Sequence, residues 1–263
     1  MKPGSKAELT EWANRSQPLW LFLDYDGTLA EFAPTPEHIE PNPRIIRLLE
    51  RLADRPATRV TILSGRRLAH IRQLLPVTGI LLAGTYGIEL LAESGETINL
   101  IQPQDVRPVL EAIKPAWAEL IQGRSGFFLE DKDWALALHA RFAEEGEAAQ
   151  VMGQALETAT LKLHPDRFRI VGGHRFLEVA PRLASKRESV AYLLDKYPLP
   201  EAQLLYIGDD DKDEEAFPLI HAHGGIAVKI RQASQDSQPT TADVFFHSPT
   251  ETLDWLEGLL AAG

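Results

Sequence analysis

The feature that most constrains this chain is the stretch Leu19-Trp20-Leu21-Phe22-Leu23-Asp24, in which five apolar residues run straight into an aspartate. A strand with one solvated face alternates apolar and polar residues. A strand covered on both faces reads as continuous apolar sequence, and that pattern belongs to parallel sheets sandwiched between helices. Similar runs recur at 59–63 and 79–83, and again late in the chain at 204–207, 225–228 and 243–246. Between them, apolar residues at helical spacing mark 43–53, 67–75, 186–194 and 250–260. Strands and helices alternating in this way predict an α/β fold with a parallel, Rossmann-like sheet built from the two ends of the chain.

The middle of the chain has a different rhythm. A hairpin is expected over 88–92 and 97–101, turning at Ser94-Gly95. A helix at 105–120 and strands at 127–131 and 134–139 follow, then a helix at 144–158 and strands at 161–164, 168–171 and 176–179. Two successive helix-plus-strands units predict an antiparallel α+β module. It is expected as an insertion at 105–181 into a core formed by 1–104 and 182–263, and 263 residues suffice for two such domains at roughly 150 residues each.

Composition narrows the partners. Lys+Arg total 27 and Asp+Glu 38, a net charge of −11, which gives no electrostatic support for binding nucleic acid or an anionic membrane surface. No apolar run approaches the roughly 18 residues of a membrane-spanning helix. The beginning, Met1 to Glu8, lacks the apolar stretch of a secretory signal, so the expected location is cytoplasmic. Nothing in the sequence fixes an oligomeric state. There is no cysteine, so a metal would be held by oxygen or imidazole.

Two acidic clusters follow apolar runs. Asp24-Tyr25-Asp26-Gly27-Thr28 puts two carboxylates at the carboxyl end of a buried strand, the end at which open α/β sheets bind ligands. Gly208-Asp209-Asp210-Asp211-Lys212-Asp213-Glu214-Glu215 crowds six carboxylates together, and these repel one another unless a cation gathers some of them. Glu214 and Glu215 are accounted for by a helix N-terminus. Asp209, at the strand end itself, points to a hard, oxygen-liganded ion, for which Mg²⁺ is the usual choice. Ser64-Gly65-Arg66 ends a third strand just before a helix, where Ser64 serves equally as an N-cap or as part of an anion site. Ser185-Lys186-Arg187-Glu188 matches a capping box, with Lys186 in the first helical turn. A cation there opposes the helix dipole, so Lys186 is expected either to meet an anion or, more simply, to point to solvent.

Taken in chain order, these four stretches resemble the motifs of the haloacid dehalogenase superfamily of phosphohydrolases, and the insertion resembles its larger cap domains. Within that superfamily the chain is most similar to the trehalose-6-phosphate phosphatase family. Asp24 to Leu29, Ser64 to Arg66, Glu130-Asp131-Lys132 with His139-Ala140-Arg141, Glu178 within Phe176 to Pro181, and Gly208 to Glu214 carry the similarity. Ala140, Lys212, Arg187 and Tyr86 depart from the family pattern.

The resemblance implies a Mg²⁺-dependent phosphatase acting on a sugar phosphate, foremost trehalose 6-phosphate. Alternatives are a mannosyl- or glucosyl-glycerate phosphate, sucrose phosphate, or a non-catalytic phospho-sugar sensor. Asp24 would be the nucleophile and Asp26 the acid and base. Asp24, Asp209 and the Asp26 carbonyl would hold the metal, with Asp210 and Asp213 behind them and Asp213 orienting Lys186 or a metal-bound water. Thr28, Ser64, Gly65, Arg66 and Lys186 would hold the phosphate. Glu130, Lys132, Arg141 and Glu178 of the cap would read the sugar hydroxyls.

Overall fold

The computed structural model describes residues 3–32, 40–173, 175–231 and 239–261. It divides into two compact units, Met1–Ile98 with Ser185–Gly263, and Asn99–Ala184. In chain order the first unit contains α1 (Lys6–Ala13), β1 (Leu19–Asp24), α2 (Pro43–Ala53), β2 (Thr58–Leu63), α3 (Leu68–Leu74), β3 (Leu81–Gly84) and β4 (Glu89–Leu91), with β5 (Thr97–Asn99) at its border. The second contains α4 (Pro103–Ile121), β6 (Phe128–Asp131), β7 (Leu136–His139), α5 (Glu145–Lys162), β8 (Phe168–Gly173) and β9 (Phe176–Pro181). The first unit resumes with α6 (Lys186–Lys196), β10 (Gln203–Gly208), α7 (Asp211–Glu214), α8 (Phe217–Ala222), β11 (Ile226–Ile230), β12 (Val244–Phe246) and α9 (Pro249–Ala261).

The first unit is an eight-stranded sheet in the order β12-β11-β10-β1-β2-β3-β4-β5. The strands from β12 to β3 are parallel, and β4 turns antiparallel to β3. Every residue of β1 is buried, as its unbroken apolar run requires of a central strand. Trp20 within it is fully buried, stacks on Phe22 with ring centres 4.8 Å apart, and donates its indole N–H to Thr61 Oγ1 at 2.8 Å. Burial of the polar end of an indole requires such a partner. Helix α2 starts at a Pro in its first turn with Asn42 accepting from the Arg44 N–H, and turns Ile45, Leu48, Leu49 and Leu52 inward.

The second unit pairs a four-stranded antiparallel sheet, β6-β7-β9-β8, with α4 and α5. The buried Trp117 of α4 donates its indole N–H to the Ala155 carbonyl of α5 at 3.0 Å. The strand expected at 161–164 does not form, because α5 continues through Lys162. Leu161-Lys162-Leu163 alternates like a strand, but Leu161 is 81% exposed and has no sheet face to cover. The unit begins a few residues before the expected boundary at 105, since α4 starts at Pro103 and a cut there would split its first turn. The capping box at Ser185 is also absent. Ser185 occupies the N-cap but its hydroxyl donates to Glu215 Oε2 at 2.8 Å, while Glu188 pairs with Arg187. Among the described residues no helix is long and apolar enough to cross a membrane.

Candidate active site

Sheet register brings the chemical residues to one edge. Leu23 of β1 lies opposite Ile207 of β10, and Asp24 lies opposite Leu63 of β2. Asp24, Ser64 and Asp209 therefore leave the carboxyl ends of three adjacent parallel strands at the same level. The turn after β1 passes close to the one after β10. Gly27 has φ of +82°, and a Cβ there would lie 2.4 Å from Asp209 Oδ2, so only glycine allows both the turn and the approach.

Lys186 sits at the centre. It is 2% exposed, and its ammonium donates to Asp24 Oδ1 at 2.8 Å and Asp213 Oδ1 at 2.6 Å, with Asp210 Oδ1 at 3.6 Å. Of the two readings of Lys186, the one in which it meets an anion holds and the solvent one does not: the compensating anions are these aspartates, which outweigh the cost of opposing the helix dipole. Asp213 is fully committed. Its Oδ1 also accepts from the Tyr206 hydroxyl at 2.7 Å, and its Oδ2 accepts the N–H groups of Asp209 and Asp210 at 3.0 and 3.1 Å. Asp210 caps the short α7 by accepting from the N–H groups of Lys212 and Asp213.

One ammonium thus faces three carboxylates, with that of Asp209 beside them. Burial, with help from Asp210 and Asp209, pushes the Asp24 carboxyl up to about 7 despite Lys186 beside it. Burial, then the neighbouring Asp213 and Asp210, pushes Asp209 up to about 7 as well. Burial works against the Lys186 charge, yet Asp210, Asp213 and Asp24 together hold its pKa well above the ordinary lysine value. Asp24, Asp209 and Asp213 are all buried and offer carboxylate oxygens within 4.8 Å of one another. A hard divalent cation fits the Asp24 and Asp209 oxygens of this set, because it relieves the excess negative charge with the donor type it prefers, Asp213 being filled by its hydrogen bonds.

The flanking residues are arranged differently from the expectation. Asp26 is held by a bidentate ion pair, with Arg66 Nε and Nη2 donating to its two oxygens at 2.7 Å each. Ser64 is buried and its Oγ accepts the Arg66 N–H at 3.1 Å. It does not cap α3, whose N-cap is Arg67, and the Leu68 N–H at that helix start goes to Glu89 Oε2 at 3.1 Å. Glu89 thus takes one N–H of the α3 start, two residues beyond the Ser64–Arg66 loop. Thr28 donates to Asp209 Oδ1 at 3.4 Å, so its hydroxyl faces the carboxylate cluster.

In the second unit, Lys132 Nζ bonds to the buried Glu178 Oε2 at 2.7 Å and lies 3.8 Å from Glu130 Oε2. His139 Nε2 lies 3.0 Å from the same Glu130 oxygen, and its ring stacks on Phe128 at 4.1 Å. Arg141 follows the end of β7 and stands outside this network, its guanidinium 5.9 Å from the Phe142 ring. The structure brings three of the four expected sugar-reading residues together and adds His139.

Sequence reasoning missed Tyr206 and Glu89, and each left a signal. A tyrosine in the run before Asp209 needs a partner for its hydroxyl once buried, and a carboxylate inside the apolar stretch Ile88 to Leu91 is rarely buried unless it bonds something. Glu89 takes the Thr85 hydroxyl at 2.6 Å besides the Leu68 N–H.

A family model for trehalose-phosphatase matches residues 22–250. A probable trehalose-phosphate phosphatase of Sinorhizobium fredii is 29% identical over 226 residues, covering 85% of this chain and 79% of that protein. The trehalose-phosphate phosphatase of Mycobacterium marinum is 29% identical over 242 residues, covering 89% of this chain but only 60% of that longer protein. Among solved structures, the C-terminal domain of the C. albicans trehalose-6-phosphate phosphatase superposes with a TM-score of 0.82 at 21% identity, covering 97% of this chain and 96% of that one. The sheet order, the inserted α+β unit and the match over 22–250 together show that this chain belongs to the trehalose-phosphatase family.

Proposed function

We propose that the protein hydrolyses trehalose 6-phosphate to trehalose and phosphate in the cytoplasm, with Mg²⁺ as cofactor and an aspartyl-phosphate intermediate. The observation that carries this reading is the buried Asp24–Lys186–Asp213 arrangement at the carboxyl edge of the central strand, with Asp209 beside it. Asp24 and Asp209, with the backbone carbonyl of Asp26, are the ligands assigned to the metal. The Asp26 carboxylate is held by Arg66, which leaves only its carbonyl for that role. When bound, the metal shields the nucleophile from the roughly two negative charges of a phosphate monoester and neutralises charge in the transition state.

The protein's own groups divide the remaining work. An Asp24 oxygen attacks phosphorus while the bond to the sugar oxygen breaks, and Asp26, freed and protonated once the Arg66 guanidinium turns from it to the phosphate, gives that oxygen its proton. Water then attacks the phosphorus of the acyl phosphate, Asp26 takes the water proton, and Asp24 is released with inorganic phosphate. Lys186 and the Ser64 loop, through Ser64, Gly65 and Arg66, hold the non-bridging oxygens, and Thr28 keeps Asp209 in place. Asp213, whose oxygens are filled by Lys186, Tyr206 and two N–H groups, positions Lys186 rather than binding metal. Glu130, Lys132, Glu178 and Arg141 of the inserted unit are assigned to the sugar hydroxyls.

The test is phosphate release from trehalose 6-phosphate, sucrose phosphate and mannosyl- and glucosyl-glycerate phosphates, with Mg²⁺ and with a chelator. Release expected from trehalose 6-phosphate is Mg²⁺-dependent and absent in Asp24→Asn. Preference for another ester reassigns the substrate. Absence of release from every ester overturns the phosphatase reading in favour of a phospho-sugar sensor.

A further inference from the structure

Two of the residues that depart from the family pattern, Tyr86 and Lys212, touch each other. The Lys212 ammonium lies 4.1 Å from the centre of the Tyr86 ring and donates to its hydroxyl. They come from separate parts of the sheet. Tyr86 follows β3, Lys212 lies in α7 after β10, and β1 and β2 lie between those strands. The contact therefore reaches across the strands that carry Asp24 and Ser64.

The backbone that presents Tyr86 is unusual. Thr85, Tyr86 and Gly87 have φ of 50°, 51° and 91°, three consecutive left-handed residues, one of them β-branched. Such conformations persist only when their surroundings over-determine them, and they cluster where function needs them. Here the turn is tied down on several sides. The Thr85 N–H donates to the Arg66 carbonyl at 2.7 Å, the Tyr86 N–H donates to the Ser64 carbonyl at 2.9 Å, and the Tyr86 carbonyl accepts from the Ser189 hydroxyl at 2.7 Å. Glu89 holds the Thr85 hydroxyl. The phenol end of Tyr86 lies directly on Gly65, where a Cβ would come within 2.6 Å of its Cζ and hydroxyl oxygen. One residue thus contacts the Ser64–Arg66 loop, the helix that carries Lys186, and the turn that carries Asp209 to Asp213.

We propose that the Tyr86–Lys212 contact is a strap that fixes the Ser64–Arg66 loop relative to the Asp209–Asp213 turn, making both residues positioning residues for phosphate capture. The proposal rests on the phosphatase reading for what the loop holds. Tyr86 acts through Gly65 and the Ser64 carbonyl. Lys212 acts by anchoring the ring from the far side of the sheet edge. Neither is assigned a contact with the reacting atoms.

The experiment compares Tyr86→Phe, Lys212→Met, the double variant and Lys212→Arg with the unaltered protein. Affinity for inorganic phosphate is measured by calorimetry in Mg²⁺, kcat and KM are measured on an aryl phosphate, and the thermal midpoint of each is recorded. Each single variant is expected to weaken phosphate binding roughly tenfold, the size of one lost charged hydrogen bond, with KM rising in step and kcat nearly unchanged. The double variant is expected to be no worse than Lys212→Met, because that change alone removes both the hydrogen bond and the ring contact. Lys212→Arg is expected to recover most of the loss, with midpoints unchanged throughout. Losses that multiply in the double variant, or unaltered phosphate affinity in both singles, overturn the strap. Calorimetry needs no turnover, so the same pattern of affinities supports the strap even if no ester is hydrolysed, an outcome that counts against the phosphatase reading alone.

Discussion

Lys186 is a buried ammonium whose presence is tolerated only because Asp24 and Asp213 flank it at bonding distance. Removing one partner of a buried charge cluster leaves the others uncompensated, which typically costs about 3 to 5 kcal/mol. Lys186→Met keeps the stem and removes the charge, so we predict both loss of turnover and a fall of that order in unfolding free energy, measured by urea denaturation at neutral pH. Stability within about 1 kcal/mol of the unaltered protein would mean that the aspartates shed their charge instead, as a carboxyl already near neutrality can do. Asp26 makes a contrasting prediction. If it is the proton donor we propose, it matters most when the leaving oxygen is a poor leaving group, so Asp26→Asn should slow a sugar phosphate by roughly a hundredfold or more and an ester of an acidic phenol much less. Equal losses on the two substrates would remove the acid assignment. Asp24 and Asp209 were legible in the sequence because each ends an apolar run. The burial of Lys186 was not, since a lysine at a helix start is ordinarily solvated and only the fold brings its partner aspartates, one of them 162 residues distant, to the same point.

Helix α4 and strand β6 are joined by Asp131, which accepts from Arg107 at 2.7 Å and Lys114 at 2.8 Å. The Arg107 guanidinium is the main cause that holds the Asp131 carboxyl well below the usual range, with Lys114 and the Asp133 N–H adding to it. A carboxyl whose folded-state pKa is depressed contributes stability that is present above its unfolded value of about 3.9 and is lost as pH falls toward the folded one. Asp131→Asn should therefore lower stability by about 1 kcal/mol at pH 7, the scale of a partly exposed ion-pair network. The difference between variant and unaltered protein should shrink as pH falls below about 4. A difference independent of pH would show that packing, not charge, joins these two elements. Elements with long periodic runs, such as β1 and α2, were readable from pattern alone. The end of α5 and the start of α6 were not, because a three-residue alternation fits strand and helix equally, and a serine and glutamate at capping spacing can find better partners elsewhere, as Ser185 does with Glu215.

The change of rhythm near residue 100, from buried parallel strands to alternating antiparallel ones, was enough to anticipate two units, because sheet burial dictates sequence pattern. What the second unit reads was not legible, since charged residues on a strand serve equally as ion pairs or as hydroxyl partners. Its role is predicted to be selective. Single alanine variants of Glu130, Lys132, Arg141 and Glu178 should reduce kcat/KM for trehalose 6-phosphate roughly ten- to a hundredfold, while an aryl phosphate, which has no sugar to read, is hydrolysed almost unchanged. Parallel losses on both esters would assign these residues to folding. The indoles offer a way to watch the two units apart. Trp12, Trp20 and Trp255 belong to the first unit and Trp117 and Trp134 to the second. With Trp117 and Trp134 replaced by phenylalanine, all remaining indole fluorescence comes from the first unit, and with the other three replaced it comes from the insertion. Emission spectra of the two proteins during denaturation would then tell whether the chain melts as one body or as two.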